Sequence, residues 1–195
     1  MDRCVVLVAG VSSVPSMAAL SYTVFDTPIG HCALVWHETG IVGVQLPEGS
    51  AAATARRTCQ RFAGAIRRTP PALAQRAIAA IGVLLRGGGD ELSSVPLDFS
   101  GQGPFCRRVY ELARAIPAGE TVTYGELAAR AGEPGAARAV GQAMARNPFP
   151  LIVPCHRVMA AHGGAGGFSA RGGVATKFRL LRIEGALRQE LLALG

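Results

Sequence analysis

The stretch TVTYGELAARAGEPGAARAVGQAMARNP, residues 121–148, decides how the second half of this chain folds. Thr123 and Glu126 have the S/T-x-x-E spacing of a capping box, which predicts the start of a short helix, ELAARAG. GEPG then predicts a turn, and AARAVGQAMAR predicts a second helix that ends at Asn147-Pro148. A short helix, a tight turn and a second helix that carries arginines form the helix-turn-helix pattern. Because helical hairpins are common, the pattern alone is weak evidence for DNA binding.

Upstream of this stretch, the sequence predicts a β-rich region followed by helices. SYTVFDTP, GHCALVWHE and GIVGVQLPE are short segments rich in β-branched and aromatic residues, and their spacing predicts an antiparallel meander. Residues 51–68 predict a helix, and PPALAQRAIAAIGVLLRGGG predicts another that begins with proline and ends at glycines. SSVPLDFSGQGP predicts a loop with at most one strand, so we place a domain boundary near residues 93–103. PFCRRVYELARAIP predicts the helix that opens the second domain.

Downstream, LIVPCHRV at residues 151–158 is an apolar run that ends at a proline and then brings a thiol and an imidazole together. MAAHGGAGGFSARGGVATKF follows, with four glycines among residues 163–167, and predicts an irregular loop. TKFRLLRIEGALRQELLAL predicts a closing helix with a break near Gly185.

Composition limits the classes to which this protein can belong. The chain has 195 residues and a formal net charge of +7, and residues 96–195 hold 12 basic and 7 acidic residues, a balance of +5. This charge suits a polyanionic partner, although a genome that favours arginine codons would produce the same excess. The five cysteines are widely spaced with no CxxC pair, which argues against a disulfide framework and a zinc ribbon. We therefore predict a reducing compartment and no metal site.

The first 19 residues contain VVLVAGV at positions 5–11, which faintly resembles a signal peptide. This run is too short to span a membrane. We predict that residues 1–19 are a disordered tail, or an upstream extension of a chain whose translation starts at Met17. We accordingly expect a cytoplasmic protein with no membrane partner.

Cys155 is the candidate nucleophile. A thiol attacks well only as a thiolate, which requires a nearby base or cation. In a turn after Pro154, the His156 imidazole could reach the sulfur through one water, while Arg157 either adds positive potential or pairs with a carboxylate. An isolated Cys-His pair more often marks a buried structural cysteine. A helix-turn-helix before it and a glycine-rich loop after it instead favour chemistry on a DNA base that has left the stack.

AARAVGQAMARNPFPLIVPCHRV strongly resembles the signature of the O6-alkylguanine-DNA alkyltransferases, also called methylated-DNA–protein-cysteine methyltransferases. The similarity extends through GPFCRRVYELARAIPAGETVTYGELA, GFSARGGVATKFRLLRIEG and the early DTPIG, and covers about residues 21–187. It implies an α+β fold with a small ribonuclease H-like domain of antiparallel sheet and helices over residues 20–96. A mostly helical winged-helix domain, carrying the helix-turn-helix, would follow over 97–187, and a tail over 188–195.

The resemblance also implies an activity. Such a protein repairs DNA as a monomer, located with the chromosome. It binds duplex DNA through the minor groove, rotates O6-alkylguanine out of the stack and transfers the alkyl group to its own cysteine. The thioether that forms has no easy reverse path, so each molecule acts once, and no cofactor is needed. Whether O4-alkylthymine is also a substrate, and which alkyl groups fit, stays open.

Four residues match the family's catalytic positions. Cys155 matches the alkyl acceptor, and His156 matches the residue that takes the thiol proton through a water. Glu184 matches the carboxylate that orients this histidine. Asn147 matches the asparagine that holds the active-site turn. Without the resemblance, Glu184 would be read as a surface carboxylate.

Two further residues match positions that act on DNA, and several match the guanine pocket. Tyr124 matches the tyrosine that promotes base flipping, and Arg138 matches the arginine that fills the vacated place in the stack. Ser169 matches a backbone N–H donor to O6, and the carbonyls of Cys155 and Val158 match acceptors from the exocyclic amine. The predicted pocket residues are Met144, Pro150, Val158, Phe168 and Ser169.

The chain departs from the family pattern near the pocket and in the N-terminal half. Phe168 stands where many members have tyrosine, and Ala170-Arg171 is an insertion relative to shorter members. Tyr110 stands where tryptophan is common, which we interpret as a core position. The zinc ligands that some members carry in their N-terminal domain are not matched.

Two other functions remain as alternatives. A DNA-binding module without chemistry, such as a damage sensor, would resemble this family but lack the acceptor, so the presence of Cys155 counts against it. A cysteine hydrolase would pair Cys155 with His31, His37 or His162 and would turn over repeatedly. It would leave the helix-turn-helix unexplained.

Overall fold

The computed structural model describes residues 19–89 and 92–187. The predictions for a tail over residues 1–18 and for residues 188–195 lie outside this part of the chain. The described part has a mixed α+β architecture with a four-stranded sheet, a two-stranded sheet and six α-helices. None of the helices within the described ranges is long and apolar enough to cross a membrane.

The predicted antiparallel meander is confirmed. Strands β1 (Ser21–Thr27), β2 (Gly30–Trp36) and β3 (Ile41–Gln45) pair in order, with β2 at the centre. Residues 32–36 of β2 are all buried, which shows that this strand is covered on both faces.

The helix predicted over residues 51–68 is shorter than expected. Helix α1 runs over Ala51–Arg61, and its first turn is capped by the Ser50 hydroxyl, which accepts a hydrogen bond from Ala53 N at 3.2 Å. The chain then turns through Gly64, whose φ of +80° favours glycine. Strand β4 (Ile66–Arg67) pairs parallel to β1 at the edge of the sheet. The prediction was wrong over residues 62–68 because backbone pairing with β1 replaces the last turns of the helix.

Helix α2 (Ala72–Leu84) begins after Pro71 and ends before the glycines at 87–89, as predicted. The segment predicted as a loop near residues 93–103 lies against the sheet. Ile41 N donates to Pro96 O at 2.9 Å, and Asp98 N donates to Ile41 O at 2.8 Å. This connection therefore extends the sheet beyond β3.

The helix-turn-helix pattern forms as predicted. Helix α3 (Pro104–Arg114) leads to a short strand β5 (Val122–Thr123), then α4 (Tyr124–Arg130), a turn and α5 (Ala137–Ala145). Both capping-box hydrogen bonds are present at the start of α4: Glu126 N donates to Thr123 Oγ1 at 3.1 Å, and Thr123 N donates to the Glu126 carboxylate at 2.6 Å.

After the CHR turn, strand β6 (Val158–Met159) pairs parallel to β5, and the glycine-rich loop leads to helix α6 (Val174–Ile183). Sequence patterns did not predict the β5–β6 pair, because two-residue strands carry no periodicity. Gly185 has a φ of +80° and ends α6, as the predicted break requires.

A single hydrophobic cluster joins the sheet of the N-terminal half to the helices of the C-terminal half. At the centre of the C-terminal half, Tyr110 and Phe149 meet edge to face at 6.4 Å, and Phe99 contacts both rings. The buried Tyr110 hydroxyl donates to Ala143 O at 2.9 Å, which links α3 to α5. Tyr110 is thus the core residue that its position suggested.

We expect the substitution Tyr110→Phe to lower the free energy of unfolding by about 1 kcal/mol, the net value of one buried hydrogen bond. The loss stays modest because the Ala143 carbonyl retains a second hydrogen bond, from Arg146 N at 3.1 Å. Urea denaturation of both proteins measures the difference. An unchanged midpoint would show that the α3–α5 hydrogen bond does not contribute to stability.

Candidate active site

The turn before the candidate nucleophile is held by Asn147. Its Nδ2 donates to Val153 O at 2.8 Å, and its Oδ1 accepts from Phe149 N at 2.9 Å. Leu151 within the turn has a φ of +76°, a left-handed conformation that costs a non-glycine residue on the order of 1–3 kcal/mol. The Asn147 hydrogen bonds maintain this strained turn, which delivers Cys155.

The same turn is attached to the N-terminal sheet. Val44 N of β3 donates to Pro148 O at 2.8 Å. Gly43 lies beside this contact, and a Cβ there would stand 3.0 Å from Pro148 O. The sheet therefore approaches the active-site turn closely enough to set its position.

Cys155 opens a single 3-10 turn, Cys155–Arg157, and its residue surface is 8% exposed. Burial raises the pKa of its thiol, and the Asn147 side chain, the positive charge of Lys177 and nearby backbone N–H groups oppose that rise. Because burial outweighs these groups, the resting thiol is protonated and needs a base before it can attack.

His156 is placed to supply that base. Its Nε2 lies 2.8 Å from Glu184 Oε1, and both side chains are buried. A carboxylate only accepts hydrogen bonds, so Nε2 carries a hydrogen, and in the neutral ring Nδ1 then holds a lone pair. Nδ1 is buried and has no hydrogen-bond partner among the residues that the structure describes. Within this region the ring makes no direct hydrogen bond to the Cys155 thiol.

Arg157 pairs with the same carboxylate. Its Nε donates to Glu184 Oε2 and its Nη2 donates to Oε1, both at 2.9 Å, while Nη1 donates to Ile116 O. Of the two roles considered from the sequence, pairing with a carboxylate is the one that the structure shows. Burial raises the pKa of the Glu184 carboxyl, but the hydrogen bonds and charges of His156 and Arg157 outweigh burial and lower the pKa to about 2.

Lys177 is a buried cation that sequence reasoning missed. Its Nζ donates to Val158 O and Ala165 O, each at 2.6 Å, and lies 5.8 Å from the centre of the Tyr124 ring. Burial lowers its pKa to about 8. The one available signal was composition, because Lys177 is the only lysine among 20 basic residues.

A cavity of about 590 Å³, the helix-side cavity, opens between the helix-turn-helix and the glycine-rich loop. Tyr124 of α4, Arg138 of α5 and Cys155 all line this cavity. Gly166 contacts the tyrosine so closely that a Cβ there would stand 2.8 Å from the Tyr124 hydroxyl. Three more of the predicted site residues line the helix-side cavity: Met144, Phe168 and Ser169.

A second cavity of about 270 Å³, the sheet-side cavity, is also lined by Cys155. Pro150 lines this cavity rather than the helix-side one. Val158 lines neither cavity, because it is fully buried in the β5–β6 pair and its carbonyl accepts from Lys177. Sequence reasoning missed the contribution of the N-terminal half, which supplies Gln45, Leu46, Glu48, Arg57 and Arg61 to the sheet-side cavity.

Comparisons with known proteins identify the family of this chain. Residues 104–186 match the family model of the 6-O-methylguanine DNA methyltransferase DNA-binding domain. A methylated-DNA–protein-cysteine methyltransferase of Methanothermobacter thermautotrophicus is 37% identical over 158 residues, which cover 81% of each chain. This chain belongs to that family. Because it does, the predicted fold class holds at the level of a mixed α+β protein.

Two further members are close relatives of this methyltransferase. The Salmonella typhimurium methylated-DNA–protein-cysteine methyltransferase is 51% identical over 88 residues, 45% of this chain and 50% of that protein. The crystal structure of Mycobacterium tuberculosis OGT in complex with DNA is 32% identical, with a TM-score of 0.66 over 85% of this chain and 93% of that chain. Among the described residues of this methyltransferase, no cluster of His, Cys, Asp and Glu could hold a metal ion.

The buried carboxylate predicts a specific pH dependence of stability. Because the Glu184 pKa is about 2 in the folded protein and about 4.5 when exposed, its pairing contributes fully above pH 4.5 and is lost as the pH falls toward 2. We expect Glu184→Gln to lower the free energy of unfolding at pH 7 by about 3 kcal/mol, since Arg157 then stays buried without its counter-ion. The difference from wild type should shrink as the pH drops below 4.5.

Urea denaturation at a series of pH values from 7 to 3 measures this difference. The other carboxylates of the chain titrate in both proteins, so wild type serves as the internal reference. A difference that does not change over this range would contradict the pairing of Glu184.

Proposed function

We propose that this protein repairs DNA by transferring an alkyl group from O6-alkylguanine in duplex DNA to Cys155, once per molecule. The observation that carries this proposal is the geometry of His156, which follows the buried Cys155 in the chain: its Nε2 is fixed by Glu184, and its Nδ1 has no hydrogen-bond partner among residues 19–89 and 92–187. This arrangement can remove a proton from Cys155, and the thioether that then forms is not released, because a thiolate is a poor leaving group from an alkyl carbon. Membership of the methyltransferase family supports the same reaction.

The four catalytic positions act in one displacement. His156 Nδ1 takes the thiol proton through a water, and Glu184 stabilises the imidazolium that forms. The Cys155 thiolate attacks the alkyl carbon, the S–C bond forms and the C–O6 bond breaks. The electron pair moves into the guanine, which takes up a proton and becomes the normal base. Asn147 keeps the turn in the geometry that this attack needs.

The helix-side cavity would receive the flipped guanine. Tyr124 lines this cavity at the start of α4, where its ring can contact the base. Arg138 lies exposed on the first turn of α5, where it can enter the duplex. The pocket assignments to Met144, Pro150, Val158, Phe168 and Ser169 remain proposals, with Val158 the least supported by its position.

The finer structural predictions are also proposals. A ribonuclease H-like domain over 20–96 is supported by the meander with its two helices, and a winged-helix domain over 97–187 is supported by α4, α5 and the β5–β6 pair. The proposed displacement needs no cofactor, and we propose that the protein acts as a monomer in the cytoplasm, with the chromosome. O4-alkylthymine remains a second candidate substrate.

Incubation with duplex DNA that carries one O6-methylguanine should add one methyl group to the Cys155 peptide and stop at one equivalent. Mass spectrometry of the intact protein and its peptides measures the gain, with Cys155→Ala as the control. Tight binding without a gain in mass would instead indicate a damage sensor, and repeated turnover on esters would indicate a hydrolase.

We expect Arg138→Ala to slow repair in duplex DNA at least tenfold while leaving the reaction with free O6-benzylguanine within about twofold. Arg138 acts only when a base leaves the stack, and each tenfold loss corresponds to about 1.4 kcal/mol. Single-turnover rates of wild type and variant on the two substrates measure the two losses separately. Equal losses of rate on both substrates would show that Arg138 does not act in base flipping.

A further inference from the structure

Cys155 is one of the residues that line the sheet-side cavity. Five residues line both this cavity and the helix-side cavity: Met144, Ala145, Cys155, Phe168 and Ser169. The two spaces therefore meet at Cys155. None of the roles proposed above uses the part of the sheet-side cavity that the N-terminal half lines.

The chemistry of the displacement requires space beside the sulfur. The thiolate approaches the alkyl carbon opposite O6, so the guanine, the carbon and the sulfur lie close to one line. Any substituent on that carbon must project to the side of this line. With guanine in the helix-side cavity, the free volume next to Cys155 is the sheet-side cavity.

The charges around the sheet-side cavity are mostly positive. Arg57 and Arg61 line it from α1 and Arg146 lines it from the end of α5, whereas Glu48 is the single carboxylate among the lining residues. Three guanidinium groups against one carboxylate leave an excess of positive charge, which favours an anion in the cavity.

The arginines of α1 are arranged for such an anion. Arg61 Nη1 donates to Gln45 Oε1 at 2.8 Å, and Gln45 Nε2 donates to Glu48 Oε1 at 3.0 Å, so these side chains hold each other in place. Arg57 donates no hydrogen bond within residues 19–89 and 92–187, so its donors remain available. Burial lowers the pKa of Arg61, and the neighbouring charge of Arg57 lowers it further. An anion between the two guanidinium groups would relieve this repulsion.

Arg171 follows directly after Ala170, the last residue of the glycine-rich loop that lines the sheet-side cavity. Its guanidinium donates to Glu48 O, which ties the loop after Phe168 to the segment that follows β3. Gly49 permits this contact, because a Cβ there would collide with the Arg171 side chain. The insertion that distinguishes this chain from shorter family members thus fastens the active-site loop to the N-terminal half.

We propose that the sheet-side cavity holds the distal part of the alkyl group during transfer, and that Arg57 and Arg61 favour groups that end in a carboxylate. The preferred substrates would be O6-carboxyalkylguanines, of which O6-carboxymethylguanine is the smallest. This inference rests on the proposed function. The S–CH2 bond forms as the CH2–O6 bond breaks, the guanine takes up one proton, and Cys155 ends as an S-carboxymethyl thioether.

Single-turnover rates test the inference on three otherwise identical duplexes, carrying O6-methyl-, O6-carboxymethyl- or O6-carbamoylmethylguanine. The last is the neutral isostere of the second. We expect wild type to react faster with the carboxymethyl than with the carbamoylmethyl group. In Arg57→Gln/Arg61→Gln this rate ratio should fall about tenfold, the effect of losing a charge-assisted hydrogen bond.

Two controls separate this effect from others. Arg56→Gln removes an exposed arginine of the same helix that does not line the cavity, and it should leave the ratio unchanged. The rate with O6-methylguanine shows that each variant is folded and binds DNA. An unchanged ratio in the double variant, with methyl transfer intact, would overturn the inference. Failure of wild type to transfer methyl would instead overturn the proposed function.

Discussion

The active site depends on one buried carboxylate. Glu184 at the end of α6 binds His156 and Arg157, two neighbours in the turn that begins with Cys155. Burying a carboxylate is costly unless a cation and hydrogen bonds satisfy it, and here both come from a single turn. Because Glu184 must keep both partners to stay buried, its hydrogen bonds hold the Cys155–Arg157 turn against the end of α6. Glu184 also fixes which nitrogen of the neutral His156 ring holds a lone pair.

The second constraint comes from the N-terminal half. Hydrogen bonds from Val44 to the active-site turn and from Arg171 to the segment after β3 place the sheet beside the reactive sulfur. Cys155 lines two cavities of different character. One is bounded by the helix-turn-helix, and the other is bounded by arginines of α1. The N-terminal half is distant from Cys155 in the sequence, yet its residues line part of the space beside this cysteine.

Local patterns predicted much of the fold correctly. The capping box at Thr123, the turn glycines and the β-branched and aromatic residues of the first three strands act on the backbone of their near neighbours in the chain. Predictions failed where distant backbone decided the outcome. Residues 66–67 left the predicted helix to pair with β1, and the β5–β6 pair joined segments too short to show a pattern.

The sequence by itself determined the family and the helix-turn-helix, because the motif around Cys155 is continuous and specific, and it proposed Cys155 as the nucleophile. It also singled out Glu184 through its resemblance to the family. Only the tertiary structure decided that Arg157 shares this carboxylate, that Lys177 is buried, and that Arg57 faces the sulfur's second cavity. The physical reason is that charges far apart in the chain meet only after the core has packed. Their burial and their pairing are therefore properties of the fold rather than of any local pattern.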